Sequence, residues 1–79
     1  MKDHLLIVDD EPDLLHLLKR SLEPELDCKV WTAPSGEAAL STLTSERIDL
    51  LMADIKMPGM SGLELLDLVK RQYPDLTVM

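Results

Sequence analysis

Three aspartates each follow a short apolar run in this chain. Asp9 and Asp10 come directly after Leu5–Val8, and Asp54 comes directly after Leu50–Ala53. Unbroken apolar runs of this length are typical of strands that are covered on both faces of a parallel sheet. Because parallel strands point the same way, their carboxyl ends line one edge of the sheet, where ligands bind. The pattern therefore predicts that the three carboxylates converge at that edge.

Converging carboxylates repel one another, so they either raise one another's pKa or hold a cation. Oxygen-only ligands favour a hard ion, and Mg²⁺ is the usual choice where a phosphate completes the coordination shell. An ionised carboxylate such as that of Asp54 could attack phosphorus without a general base. A single aspartate after a strand, however, is more often a turn residue or a helix cap. From spacing alone, both interpretations stay open.

The other segments predict the elements that position these acids. Cys28–Ala33 alternates in polarity, which predicts a strand at the sheet edge with one wetter face, and Leu76–Met79 predicts the opening of a fourth strand. A segment of helical period lies between each pair of strands. The resulting β-α-β-α-β-α-β order predicts an α/β fold with a parallel sheet, helices on both faces and right-handed crossovers.

The helix ends carry recognisable signals. Pro12 suits the first turn of the first helix, and Ser35 can cap the second. Ser61 and Glu64 have the spacing of a capping box for the third helix, which Tyr73-Pro74 ends. The side chains expected to face the sheet are Leu14, Leu15, Leu18 and Leu22 in the first helix, Ala38, Ala39 and Leu43 in the second, and Leu65, Leu66 and Val69 in the third.

The composition favours a small domain with an aliphatic core and argues against binding to nucleic acid or membranes. The 79 residues predict one small domain, and a single tryptophan and tyrosine with no phenylalanine predict an aliphatic core. The net charge of −7 repels phosphate backbones and anionic lipid, so we expect no direct nucleic-acid or membrane binding by this segment. Cys28 has no second cysteine to pair with, and no leader or membrane-length apolar run is present, so we expect a cytoplasmic location.

The stretches LLIVDDEP (residues 5–12) and DIKMPGMSG (residues 54–62) resemble the receiver domain of two-component response regulators, and the resemblance covers essentially the whole chain. It implies the flavodoxin-like sheet with strand order 2-1-3-4-5. It also implies that Asp54 accepts a phosphoryl group from the phosphohistidine of a sensor histidine kinase. We therefore expect a signalling module rather than an enzyme.

The resemblance further implies a Mg²⁺ site. Asp10 matches the direct carboxylate ligand, Asp9 matches a ligand that acts largely through water, and Asp54 also faces the ion. The backbone carbonyl of Lys56 matches the third protein ligand, while its side chain is expected to face solvent. The residues that match positions shaping the loop beside the site are Met57, Pro58 and Gly62.

Compared with that family, the chain matches the N-terminal two-thirds of a receiver domain, over residues 1–79, and ends within the fourth strand. The serine or threonine that ends this strand in the family, and the lysine that ends the fifth, have no counterpart; Thr77 lies too early. We therefore expect an incomplete phosphorylation switch. We also expect self-association through the exposed edge of the fourth strand.

Other functions fit the residues less well. Haloacid-dehalogenase-like phosphatases place a second acid two residues after the nucleophile, where this chain has Lys56. Unphosphorylated interaction domains of receiver fold typically lack one of the acids, and all three are present here. A P-loop nucleotide site is excluded because no glycine-rich strand-to-helix turn is present. The alternative that stays open is a switch-incompetent fragment that acts only in self-association or interaction.

Some conspicuous side chains are expected to be structural. His4 and His16 have no partner at metal-ligand spacing. Cys28 is expected to be a small core residue. Trp31 is expected to be a half-exposed packing residue, with a partner contact as the alternative.

Overall fold

The computed structural model describes residues 3–53 and 62–78. The elements run in the order β1 (Asp3–Val8), α1 (Pro12–Leu26), β2 (Cys28–Ala33), α2 (Gly36–Ser45), β3 (Leu50–Ala53), α3 (Gly62–Gln72) and β4 (Thr77–Val78). All strand pairs are parallel, in the order β2-β1-β3-β4. This is the flavodoxin-like order, with β1 flanked by β2 and β3. The predicted alternation of strands and helices is confirmed.

Burial of the strands follows their place in the sheet. The four residues Leu5–Val8 of β1 are each at most 3% exposed, because β1 has a strand on either side and helices on both faces. At the edge, Cys28 and Val30 of β2 are buried while Lys29 is exposed, as predicted, but the alternation changes at the end of the strand, where Thr32 is exposed and Ala33 is buried. Trp31 is half-buried and packs against the core, as expected of a packing residue.

The sheet separates two apolar clusters, because successive side chains of a strand point to opposite faces. Leu6 and Val8 of β1 point to the face that α2 and α3 cover. Leu5 and Ile7 point to the face that α1 covers. The buried residues of the first cluster are Leu6, Val8, Ala33, Ala39, Leu43, Leu51, Leu65 and Val69, and those of the second are Leu5, Ile7, Leu15, Cys28 and Val30.

The helix signals act as expected where the structure describes them. Pro12 is the first residue of α1, and the Ser35 side chain accepts a hydrogen bond of 3.1 Å from the backbone N–H of Ala38. α3 ends at Gln72, directly before Tyr73-Pro74. The expected inward-facing residues of all three helices are buried or half-buried. Ser61, the first member of the predicted capping box, lies outside the described residues.

The turn between α1 and β2 relies on a residue in the left-handed region. Asp27 follows α1 with φ 47° and ψ 49°. Aspartate tolerates this conformation better than most non-glycine residues. The turn allows the chain to reverse within one residue and enter β2 at Cys28.

One side chain links β1 to the chain just before β3. The backbone N–H of His4 donates to Oδ2 of Asp49 at 2.8 Å, and the backbone N–H of Asp49 donates to the carbonyl of His4 at 2.8 Å. The next residues, Leu5 and Leu50, are the first register partners of the two strands. Asp49 therefore helps to set the register that continues to the other end of β1 and β3.

Candidate functional site

Three strands end at the same level of the sheet. Val8, the last residue of β1, is the register partner of Ala33 at the end of β2 and of Ala53 at the end of β3. The pairing of β1 with β2 extends one residue further, because the backbone N–H of Asp9 donates to the carbonyl of Ala33 at 3.1 Å. Neighbouring strands lie about 4.8 Å apart. The chain segments that leave these strands therefore start from one small region.

Asp9 is half-buried at this edge and also serves the turn into α1. Its Oδ1 accepts a hydrogen bond of 3.0 Å from the backbone N–H of Glu11, two residues on. The turn-residue interpretation is thus confirmed for Asp9. It does not compete with a ligand role, because a carboxylate has two oxygens and about four acceptor sites.

Asp10 is exposed beside Asp9 and precedes the first turn of α1. Unpaired N–H groups at the start of a helix carry partial positive charge, which favours nearby anions. Glu11, the residue that precedes α1, makes no side-chain cap hydrogen bond. The amino end of α1 therefore favours the negative charge of the adjacent carboxylates, and Asp9 also accepts a hydrogen bond from the N–H of Glu11.

No cation neutralises these two acids within residues 3–53 and 62–78. The ion pairs found there join Arg47 to Asp49 at 4.0 Å and Arg71 to Asp67 at 3.2 Å. The described residues also contain no group of three side chains placed to hold a metal. Asp9 and Asp10 thus supply two hard oxygen donors, and a full site needs further ligands.

The structure describes only one of the other predicted site residues. Asp54, Lys56, Met57 and Pro58 lie outside the described residues, and Gly62 is the first residue of α3. The structure therefore brings Asp9 and Asp10 to the carboxyl edge as predicted. It does not test the position of the acceptor, the carbonyl ligand or the site loop.

The histidines lie away from this edge. His4 is half-buried at the amino end of β1, with its ring centre 6.5 Å from that of Trp31. Its Nδ1 is buried and has no hydrogen-bond partner among the described residues. His16 is exposed on α1. Neither belongs to a group of three or more metal-ligating side chains in the described part of the chain.

Two positioning residues were missed by the sequence analysis. Asp49 links β1 to β3, and Glu23 of α1 accepts a hydrogen bond of 2.9 Å from the backbone N–H of Val30 in β2. An acidic residue directly before an apolar run is a weak signal for Asp49. Glu23 carries no local signal, because its partner is in another element.

None of the helices within the described residues is long and apolar enough to span a membrane.

Residues 5–79 match the model of a family described as the response regulator receiver domain. Among curated proteins, the heme response regulator HssR of Staphylococcus aureus is 39% identical over 74 residues, which cover 94% of this chain. The chain spans about a third (33%) of the length of that relative.

Solved structures give the same family and the same fold. The response regulator protein TrrA from Thermotoga maritima, in complex with Mg(2+)-BeF, is 41% identical with a TM-score of 0.89, covering 99% of this chain and 66% of that chain. TrrA has also been solved in complex with the histidine kinase ThkA, with the same scores. The signal receiver domain of an HD domain-containing protein from Pseudomonas fluorescens is 31% identical with a TM-score of 0.92, covering 99% of this chain and 62% of that chain.

Proposed function

We propose that this chain, which belongs to the response regulator receiver domain family, is a phospho-accepting module. In this proposal, Asp54 receives a phosphoryl group from a sensor histidine kinase, with Mg²⁺ bound beside it. The observation that carries this proposal is the common level at which β1 and β3 end. Val8 and Ala53 are register partners, and the acids follow each of them directly in the sequence.

The chemistry needs little from the protein beyond position and charge. A carboxylate oxygen of Asp54 attacks phosphorus, the bond from phosphorus to the histidine nitrogen breaks, and that nitrogen keeps the bonding electron pair. Asp54 needs no general base, because its carboxylate is already ionised at neutral pH. Catalysis of phosphoryl transfer depends mainly on alignment and on stabilising negative charge.

Asp9, Asp10, Asp54 and the backbone carbonyl of Lys56 are the proposed Mg²⁺ ligands, with Asp9 acting largely through water. The donor set supports this choice, because all four groups offer oxygen, which Mg²⁺ prefers. When bound, Mg²⁺ would neutralise charge on the incoming phosphoryl group. The TrrA complex with Mg(2+)-BeF is consistent with the use of this ion in a relative.

A sensor histidine kinase is the proposed phosphodonor, supported by the complex of the relative TrrA with the kinase ThkA. We place the reaction in the cytoplasm. Met57, Pro58 and Gly62 are proposed to shape the loop beside the acceptor. We propose no output for the whole protein, because the chain matches only 33% of the length of its curated relative HssR.

A second candidate function is self-association or interaction without a working switch. It is favoured by the place of β4 in the sheet. Within the described residues, Thr77 and Val78 form the outer strand on the side of β3. The unpaired backbone groups of such an edge can pair with another strand.

The deciding experiment is the intact mass of the chain after incubation with Mg²⁺ and acetyl phosphate. A gain of one phosphoryl group in the wild type, and none in Asp54→Asn, is the expected result. Equal gain in both proteins would contradict the assignment of Asp54. No gain in either would favour the second candidate.

A further inference from the structure

The outer edge of β2 lies beside a groove that runs along α1. This groove has a volume of about 400 Å³ and is lined in part by Leu15, Lys19, Arg20 and Thr32. A second concavity of about 490 Å³ shares Glu23 with the first and extends to Lys29. Together they follow the edge strand from one end to the other.

The charge of this edge is opposite to that of the chain. The chain carries a net charge of −7, yet three of its eight lysines and arginines, Lys19, Arg20 and Lys29, line these two concavities. His16 lines the first of them as well, and Glu23 is the acidic member among the lining residues that the structure describes. Lys19 and Arg20 take part in neither of the ion pairs found within residues 3–53 and 62–78, whereas Nζ of Lys29 lies 4.5 Å from the centre of the Trp31 ring. All three are exposed.

The backbone of β2 can accept another strand at this edge. The carbonyl of Ala33 accepts from Asp9 and therefore faces β1. The direction of the backbone groups alternates along a strand, so Val30 and Thr32 face away from β1. The N–H of Val30 confirms this direction, because it donates to Oε2 of Glu23 on α1 at 2.9 Å.

Glu23 thus occupies the backbone donor of Val30 at this edge. A side-chain carboxylate at this place resembles the contact that a carbonyl of an added strand would make. Edge strands are often protected by a charged side chain in this way. Here the protecting residue, Glu23, is itself acidic. It lies between Arg20 and Lys29 in the sequence, and it lines both concavities.

We propose that the outer edge of β2 docks an extended acidic peptide segment of a partner protein. The segment pairs with the backbone of Val30 and Thr32 as an added strand, a common mode of peptide recognition. Its carboxylates lie against Lys19 and Arg20 on α1, and its first carbonyl replaces the Glu23 carboxylate at the N–H of Val30. The groove reaches Pro12 and Pro34 near the carboxyl edge, but the proposed contacts use none of the predicted phosphorylation-site residues, so the inference does not depend on phosphorylation of Asp54.

The test uses the isotopically labelled 79-residue chain and two synthetic peptides of about eight residues, the length of an ordinary strand. One peptide alternates glutamate with valine, and the other alternates lysine with valine. Backbone amide spectra should show binding of the acidic peptide alone, with shifts and slowed hydrogen exchange at Val30 and Thr32. Binding should weaken as salt is added, because exposed charges are screened.

Charge reversal identifies the cations involved. Lys19→Glu combined with Arg20→Glu should weaken acidic-peptide binding about tenfold or more, as expected for the loss of two exposed ion pairs. The matched control, Lys70→Glu with Arg71→Glu on α3, changes the net charge equally and should leave the affinity within about twofold. Glu23→Gln should strengthen binding, because it removes the like charge and a charge-assisted hydrogen bond.

Several results would overturn the proposal. They are absence of binding, equal binding of both peptides, amide shifts confined to residues outside α1 and β2, and equal weakening by the α3 control. Dimerisation of Glu23→Gln that depends on Lys19 and Arg20, without peptide binding, would assign the edge to a second copy of the chain instead. If the charge-reversed variant does not fold, the salt dependence of the wild type provides the same electrostatic test.

Discussion

Val8 of β1 and Ala53 of β3 are register partners, and an aspartate follows each of them in the sequence. The relationship is coupled to the core. A shift of one residue in β3 would turn Leu51, which is fully buried, to the opposite face of the sheet. Burial of Leu51 therefore also fixes the register of β3 against β1, and with it the position of the end of β3 relative to Asp9 and Asp10.

Asp10→Ala should weaken Mg²⁺ binding and stabilise the metal-free chain. The substitution removes one of the proposed ligands and relieves repulsion among the acids, which contributes about 1 kcal/mol for two unit charges 4 Å apart in water. Titration with Mg²⁺ and urea unfolding without metal measure the two effects. Asp13→Ala, which removes an exposed acid from the first turn of α1, serves as the control and should leave Mg²⁺ affinity unchanged. Lower stability of metal-free Asp10→Ala would contradict converging carboxylates.

Asp49→Ala should lower the free energy of unfolding by about 1–3 kcal/mol, because the N–H of His4 loses its acceptor. Asp49→Asn keeps a side-chain oxygen and should retain more than half of that stability. Asp49 also lies 4.0 Å from Arg47 at the surface. Asp67→Ala, which removes only the surface pair with Arg71, is therefore the control, with a cost of at most about 0.5 kcal/mol. Equal losses of unfolding free energy in Asp49→Ala and Asp67→Ala would contradict the proposed contribution of the link between β1 and β3.

Ser35→Ala should destabilise the chain by about 1 kcal/mol, the usual cost of losing a helix cap. The cause is the loss of the hydrogen bond from the N–H of Ala38 to the serine hydroxyl. Ser41→Ala lies within the same helix on its exposed side and should be neutral or slightly stabilising, because alanine has the higher helix propensity. Thermal unfolding followed by circular dichroism compares the two. A larger loss in Ser41→Ala would contradict the assigned cap.

Leu6→Ala should cost about 2–5 kcal/mol, because the side chain is fully buried and its removal leaves a cavity. Leu17→Ala, at a position 60% exposed on α1, should change stability by no more than about 0.5 kcal/mol. Since a small domain has little stability to lose, Ile7→Val provides a milder change of about 0.5–1.5 kcal/mol in the same strand. Denaturant midpoints measure all three. Similar values for Leu6→Ala and Leu17→Ala would contradict the burial of β1.

Self-association through the β4 edge should appear as a rise in average mass with concentration. Sedimentation at high micromolar concentration measures it. Replacing Val78 by proline removes a backbone donor from this outer strand and should shift the chain toward the monomer. Val78→Thr, which keeps the donor and the β-branched shape, is the control. A wild-type chain that stays monomeric throughout would contradict this expectation.

Local features of the sequence determined most of the elements. Apolar runs, alternation in Cys28–Ala33 and helical period depend on neighbours along the chain, so they could be recognised without a structure. The same holds for Ser35, whose hydrogen-bond partner Ala38 is three residues away. The placement of Asp9 and Asp10 at the carboxyl edge followed from the strand pattern and the shared direction of parallel strands.

The tertiary structure decided how the elements are joined. Asp49 meets His4 across 45 residues of sequence, and Glu23 meets Val30 across a helix end and a left-handed turn. Such hydrogen bonds depend on the distance between backbones after folding, and no local propensity encodes that distance. The sequence by itself determined which acids end the strands. The tertiary structure decided the register that sets Val8 beside Ala53, because register depends on contacts made only when the whole sheet has formed.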